Sequence, residues 1–237
     1  MKKLIVVAND IQASGKSTIS RAIANFLNEQ EISTLIVSSD ERDVDNGFSG
    51  EFWDFNDELE VSQLIGALDR HDAVVVDVQT GMARVWADFC EEQEVNILLA
   101  EMDVEMVMVV PCNPSERANE EVADIAEIFS DQTDYVIAHL PMEAKGSREV
   151  PWKKSDAAKA VKYLGAIEIQ MPPVAPDFQT AIDSSDHDIV GALDNLDSIP
   201  RFLEVQAMQW LETSGEAFTG AVDYLIPEEA GTLAGAY

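Results

Sequence analysis

Residues 4–18 read LIVVANDIQASGKST. Five consecutive apolar residues, Leu4, Ile5, Val6, Val7 and Ala8, have the length and β-branched content of a buried strand. After a turn, Gly15-Lys16-Ser17-Thr18 leads into apolar positions at Ile19, Ile23, Phe26 and Leu27, a helical spacing over residues 17–30. A strand, a loop ending in Gly-Lys-Ser and a helix form a phosphate-binding unit. In it backbone N–H groups and the positive end of a helix cradle phosphate, Lys reaches the terminal phosphates and Ser reaches Mg²⁺. Gln12, Ala13, Ser14, Gly15, Lys16, Ser17 and Thr18 are therefore the expected nucleotide contacts. Lys16 also stabilises charge in the reaction, and Ser17 is an expected metal ligand. The first Gly of G-x-x-x-x-G-K-[ST] would fall at position 10, where this chain has Asp10. Asp tolerates left-handed backbone angles better than most residues, so the turn is expected to survive.

Working outward, strand and helix patterns alternate through residue 171. Strands are expected at 3–8, 34–39, 73–77, 104–110, 135–140 and 167–171, and helices at 17–30, 58–69, 82–92, 115–129 and 155–164. Such alternation implies right-handed crossovers and a mostly parallel sheet covered on both faces, a three-layer α/β architecture. Pro172, Pro173 and Pro176 end the pattern. Helices are then expected at 177–183, 188–196 and 200–225, with a loose tail from 228. The chain thus divides into a nucleotide-binding core, 1–171, and a helical C-terminal region, 172–237.

Two strand ends supply carboxylates. Residues 71–77, HDAVVVD, are an apolar strand closing on Asp77, and residues 35–40, LIVSSD, close on Asp40. A phosphate loop needs carboxylates at such places to hold Mg²⁺ and its waters. Asp77 is expected to hold the metal through water, and Asp40 to hold the metal or orient the attacking water. Asp40, Glu41, Asp43 and Asp45 also read as a solvated acidic turn.

These elements, in this order, resemble the ParA/MinD-like ATPases, P-loop proteins with a deviant Walker A motif used in plasmid partition and division-site placement. The nearest likeness is to plasmid stability and conjugal-transfer members of the StbB or TraL sort. The resemblance spans roughly residues 1–170. It implies ATP with Mg²⁺, slow hydrolysis, a nucleotide-dependent homodimer and a partner protein that reads nucleotide state. Family members carry a signature lysine that reaches the partner's nucleotide; the corresponding position here is Ile11. They also often place Asn after a late strand to read adenine, and the matching position here is His139.

Composition narrows the partners. The chain has 15 Lys and Arg against 45 Asp and Glu, a formal net charge of −30. Nonspecific DNA binding rests on cations that neutralise phosphates. From Pro172 to the end the only basic residue besides His187 is Arg201. Direct DNA binding is disfavoured, and a protein partner that itself binds DNA is expected instead. No apolar run reaches membrane-spanning length, and the two lysines and five apolar residues after Met1 are too short for a signal sequence. Cys90 and Cys112 form neither a disulfide framework nor a metal-ligand spacing, so a cytoplasmic setting is expected. A small-molecule kinase of the dethiobiotin-synthetase type and a nucleotide-binding adaptor without turnover remain alternatives. The first would draw on the basic cluster Lys145, Arg148, Lys153 and Lys154. Phe48, Phe52, Trp53 and Phe55 cover a sheet edge or form a switch surface. Leu203, Met208, Trp210 and Leu211 mark an apolar helix face expected to pack on the domain.

Overall fold

Successive side chains of a strand leave opposite faces, and the first strand uses both. Leu4, Val6 and Ala8 enter one core while Ile5 and Val7 enter the other. All five are fully buried, so this strand must run through the middle of a sheet covered on both sides. The computed structural model describes residues 1–12, 14–45, 48, 50–55, 59–141, 152–183 and 200–228. In it β1 (Lys2–Val7) is central among seven strands ordered β3-β2-β4-β1-β5-β6-β7. The others are β2 (Thr34–Ser38), β3 (Glu51–Phe52), β4 (Ala73–Asp77), β5 (Val104–Cys112), β6 (Asp134–His139) and β7 (Ile167–Gln170). Every pairing is parallel. The fold is therefore the expected three-layer α/β arrangement.

Helix α1 (Lys16–Glu29) covers one face, placing Ile19, Ile23, Phe26 and Leu27 against Ile5, Val7, Val107 and Val136. The other face is covered by α3 (Val61–Arg70), α4 (Ala83–Glu92), α5 (Val95–Glu101), α6 (Glu116–Phe129) and α7 (Asp156–Tyr163). A short α2 (Glu41–Asp45) follows β2. Three elements were not expected from the sequence. β3 is two residues long and α2 five, too short for a periodic signal. α5 follows a break at Glu94, which adopts φ 50°. A left-handed turn without Gly or Pro leaves no mark in the sequence.

After α8 (Pro176–Asp183), the C-terminal helices α9 (Arg201–Phe218) and α10 (Val222–Leu225) join the face of α1. Phe218 is fully buried, its ring 5.6 Å from Phe26. Trp210, Leu211 and Leu225 lie in the same core. Buried Lys3 bonds Glu105 and also donates to the Asp223 carbonyl at 3.1 Å, joining β1 to α10. Met208 faces outward at 53% exposure, although Leu203, Trp210 and Leu211 are buried. At 3.6 residues per turn it lies away from the contact stripe. The expected helix at 188–196, the tail from 229, Lys145 and Arg148 fall outside the described residues. Replacing Phe218 by Ala should lower stability by about 3–5 kcal/mol, the usual cost of emptying a buried aromatic site. Urea denaturation checks this; a loss below about 1 kcal/mol would show that α9 is not integral to the core.

Candidate functional site

The loop 9–15 is fastened at both ends. Asn9 is buried. Its amide donates to the Pro111 carbonyl on β5 at 2.7 Å, and its side-chain oxygen accepts the Ile11 N–H at 2.7 Å. At the far end Gly15 caps α1 with φ 85° and ψ 10°. A Cβ there would stand 3.0 Å from Leu140 Cδ1, so the left-handed angle and the close approach both require glycine. Left-handed φ falls at Gly15, Gly81, Gly165, Glu31, Glu94, Asp103 and Ser130 among the described residues. Asp10 is absent from that set, so its role is not to supply a left-handed turn. Its carboxylate accepts the N–H of Gly81 at 2.8 Å and of Ala83 at 3.4 Å. Asp10 thereby ties the loop to the start of α4, where the helix end favours a negative charge. Its own N–H donates to Glu121 Oε1 at 2.7 Å.

Lys16 is 7% exposed. Its ammonium meets only hydroxyls among the described residues, Thr80 Oγ1 at 2.9 Å and Ser14 Oγ at 3.5 Å. Burial lowers its pKa, and the charges of Asp77, Asp10, Glu121 and Asp40 act in the opposite direction. The structure therefore gathers Asp40, Asp77 and the loop residue Asp10 around Lys16, with Glu121, a carboxylate the sequence did not single out. A buried ammonium without a direct ion pair calls for an anion. The first-turn N–H groups of α1 lack intrahelical acceptors and face the same place.

Asp77 closes β4 and is 3% exposed. Burial pushes its carboxyl up to about 6, against the charge of Arg21 and a hydrogen bond from Ser17, both of which lower it. Arg21 Nη1 donates to Asp77 Oδ2 at 2.6 Å, and its Nη2 donates to Asp43 Oδ2 at 3.0 Å. Asp40 is held by Arg42, whose Nε donates to both carboxylate oxygens at 2.9 and 3.1 Å. That hydrogen bonding holds the Asp40 carboxyl below its ordinary value. Asp43 is half-buried and ion-paired, which corrects the reading of that turn as wholly solvated. Arg21 follows Ser17 by four residues, so both share a helix face; this was the one sequence signal for its role.

The remaining expected contacts differ in exposure. Gln12 is exposed, Ser14 buried and Thr18 half-buried, while Ala13 falls outside the described residues. Ile11 is half-buried and packs against the core on the α3–α7 side of the sheet. His139 lies on the α7 side of the sheet. There its Nε2 meets Glu168 Oε2 at 3.0 Å and its ring meets Trp152 edge-on at 5.0 Å. Strand alternation sends Leu140, not His139, toward Gly15. Trp53 and Phe55 are buried, and Phe52 is 37% exposed at the sheet edge.

The arrangement offers an anion cradle at the carboxyl ends of the strands, beside the Ser17 hydroxyl, which donates a hydrogen bond to Asp77. Among the described residues no group of three or more His, Cys, Asp or Glu is placed to hold a metal ion. A cation here would depend on Ser17 and on phosphate oxygens. Ser17 fits that demand, since its O–H donates to Asp77 and its oxygen lone pairs stay free.

Solved structures share this layout. MinD from Aquifex aeolicus superposes with a TM-score of 0.51 at 14% identity, over 92% of this chain and 97% of that one. MinD from Pyrococcus horikoshii, complexed with Mg-ADP, gives 0.50 at 14% identity, over 99% of this chain and 98% of that one. The fold is that of MinD. A MinC:MinD complex from Aquifex aeolicus gives 0.50 at 14% identity, over 92% of this chain and 96% of that one. At this identity the shared feature with MinD is the architecture. No family model and no curated protein matches the chain.

Asp77 and Asp40 should titrate in opposite displacements. The folded value of Asp77 lies above its ordinary 3.8. Its contribution to stability is therefore complete below that ordinary value and is lost as pH rises through about 6. The value of Asp40 is depressed, so its contribution is present above the ordinary value and lost as pH falls through the lower one. Carboxyl ¹³C NMR should place the Asp77 midpoint near 6 and the Asp40 midpoint below 3.8; a normal midpoint for Asp77 would refute its burial against Arg21.

Proposed function

We propose that the chain is a ParA/MinD-like nucleotide switch that binds ATP with Mg²⁺ and hydrolyses it slowly. The observation that carries this is the buried Lys16 ammonium, held by hydroxyls at the mouth of a glycine-capped helix. Lys16 would hold the terminal phosphates, together with the backbone N–H groups of residues 14–18. Ser17 would ligate the metal, and Asp77 would fix the Ser17 hydroxyl by accepting its hydrogen bond. Asp40 would orient the attacking water once its carboxylate leaves Arg42. Mg²⁺, when bound, supplies charge neutralisation on the phosphates. Catalysis by these residues is positioning plus charge stabilisation.

Slow turnover follows from Ile11, whose aliphatic side chain packs against the core and offers no cation to a second subunit. A nucleotide-dependent homodimer remains part of the reading. We place nucleotide binding in residues 1–171 and assign 172–237 to a C-terminal region packed on that core. No helix among the described residues is long and apolar enough to cross a membrane. With a net charge of −30, the partner is a protein with a basic surface, one that itself binds DNA during plasmid maintenance or conjugative transfer. His139 could read the base only through the Leu140 turn, since its own ring is committed to Glu168 and Trp152.

Replacing Lys16 by Ala should abolish ATP·Mg²⁺ binding in calorimetry while circular dichroism stays unchanged. Unaltered affinity in that variant would overturn the assignment.

A further inference from the structure

We propose that Arg21 is a positioning residue that transmits the state of the Ser17–Asp77 site to the turn after β2. The proposal rests on the nucleotide reading of that site and names its regulation.

The guanidinium is 5% exposed and bridges two carboxylates from different strand ends. It reaches Asp77 at 2.6 Å and Asp43 at 3.0 Å, and its plane lies over the Phe48 ring at 4.5 Å. Ser38 Oγ donates to Asp43 Oδ2 at 2.6 Å and accepts the Asp40 N–H at 3.1 Å. The chain of contacts therefore runs Ser17, Asp77, Arg21, Asp43, Ser38, Asp40. It leaves the proposed phosphate site at the metal-binding hydroxyl and ends at the backbone N–H of Asp40, the residue whose carboxylate is proposed to orient water.

The surrounding backbone is fitted to this bridge. The Phe48 N–H donates to the Asp43 carbonyl at 3.1 Å, and the Trp53 N–H donates to the Ser38 carbonyl at 3.0 Å. A Cβ on Gly50 would stand 2.2 Å from the Ile36 carbonyl oxygen and 2.4 Å from the Phe48 ring. The turn thus has little room to shift unless Arg21 and Phe48 shift together. Packed elements of this kind move between discrete arrangements rather than deforming continuously.

Only arginine suits the position. Two N–H groups in one plane address two separate carboxylates while the face of that plane stacks on an aromatic ring. Lysine would keep the positive charge and lose the fork. A merely structural ion pair would be rescued by lysine, and the relay would not.

The test is hydrogen exchange on the full chain with and without ATP and Mg²⁺. It follows peptides from the phosphate loop and from residues 36–45. In the wild type both regions should slow on binding. In Arg21→Lys and in Asp43→Asn the phosphate loop should still slow, while the response at 36–45 falls about fivefold or more, within the usual range of coupling between sites. Asp43→Asn leaves the buried Arg21–Asp77 pair intact, so it reads the relay even if Arg21→Lys does not fold. A response at 36–45 that persists unchanged in the folded variants overturns the proposal. So does a wild type whose phosphate loop responds alone, an outcome that leaves the nucleotide reading standing. If neither region responds and calorimetry detects no nucleotide, the site reading fails and the relay fails with it.

Discussion

Two cations buried on the first two turns of α1 set the terms for the rest of the strand-end crevice. Lys16 and Arg21 are 7% and 5% exposed, and a buried charge is tolerated only with compensation. Arg21 receives it locally, from Asp77 and Asp43. Lys16 does not; it has hydroxyls at hand and carboxylates at longer range. The asymmetry divides the labour. One cation holds the scaffold, and the other keeps an ammonium available to an incoming anion.

The sheet explains why both charges are there. α1 must lie across the face formed by Ile5 and Val7 to bury Ile19, Ile23 and Leu27. Its N-terminus then falls over the carboxyl ends of β1 and β4. Asp77 closes β4 in register with Val7, so the carboxylate lies beside the strand end from which the loop leads to the start of α1. This is the crevice at which parallel α/β sheets generally place ligands.

That geometry also decides what could be read from sequence. Lys16, Ser17, Asp40 and Asp77 are legible because each stands at a fixed offset from an apolar run, and the run announces the strand end. The central strands β1 and β4 are legible because burial on both faces leaves an unbroken apolar run at 4–8 and 73–76. Asp43, Glu121 and Leu140 are different. Their places depend on which elements pack together, and nothing in the local pattern of α6 or the β6 turn points toward the phosphate loop. Arg21 falls between the two cases. Its spacing from Ser17 fixes the face it shares, but only tertiary packing supplies Asp77 and Asp43. At the end of β6, alternation turns His139 toward Glu168 and Trp152 and Leu140 toward Gly15, an orientation that counting to a strand end does not give.

Asp10 shows how a departure from a motif can be structural in origin. A glycine at that place would leave the N–H groups of Gly81 and Ala83 without this acceptor. The carboxylate satisfies them instead, and the first helical turn of α4 gains a favourable charge. The same substitution adds a negative charge near Lys16, as does Glu121. Both oppose the binding of phosphate, although Asp10 is turned toward α4 and partly neutralised by its N–H donors. The loop is thereby linked to α4 on one side, while Arg21 links α1 to the β2 turn on the other. Any ligand that draws Lys16 and the loop together would have to move, or be resisted by, both attachments. On the proposed reading such a site would favour conformational signalling over rapid turnover, because the residues proposed to bind ligand also hold neighbouring elements in place.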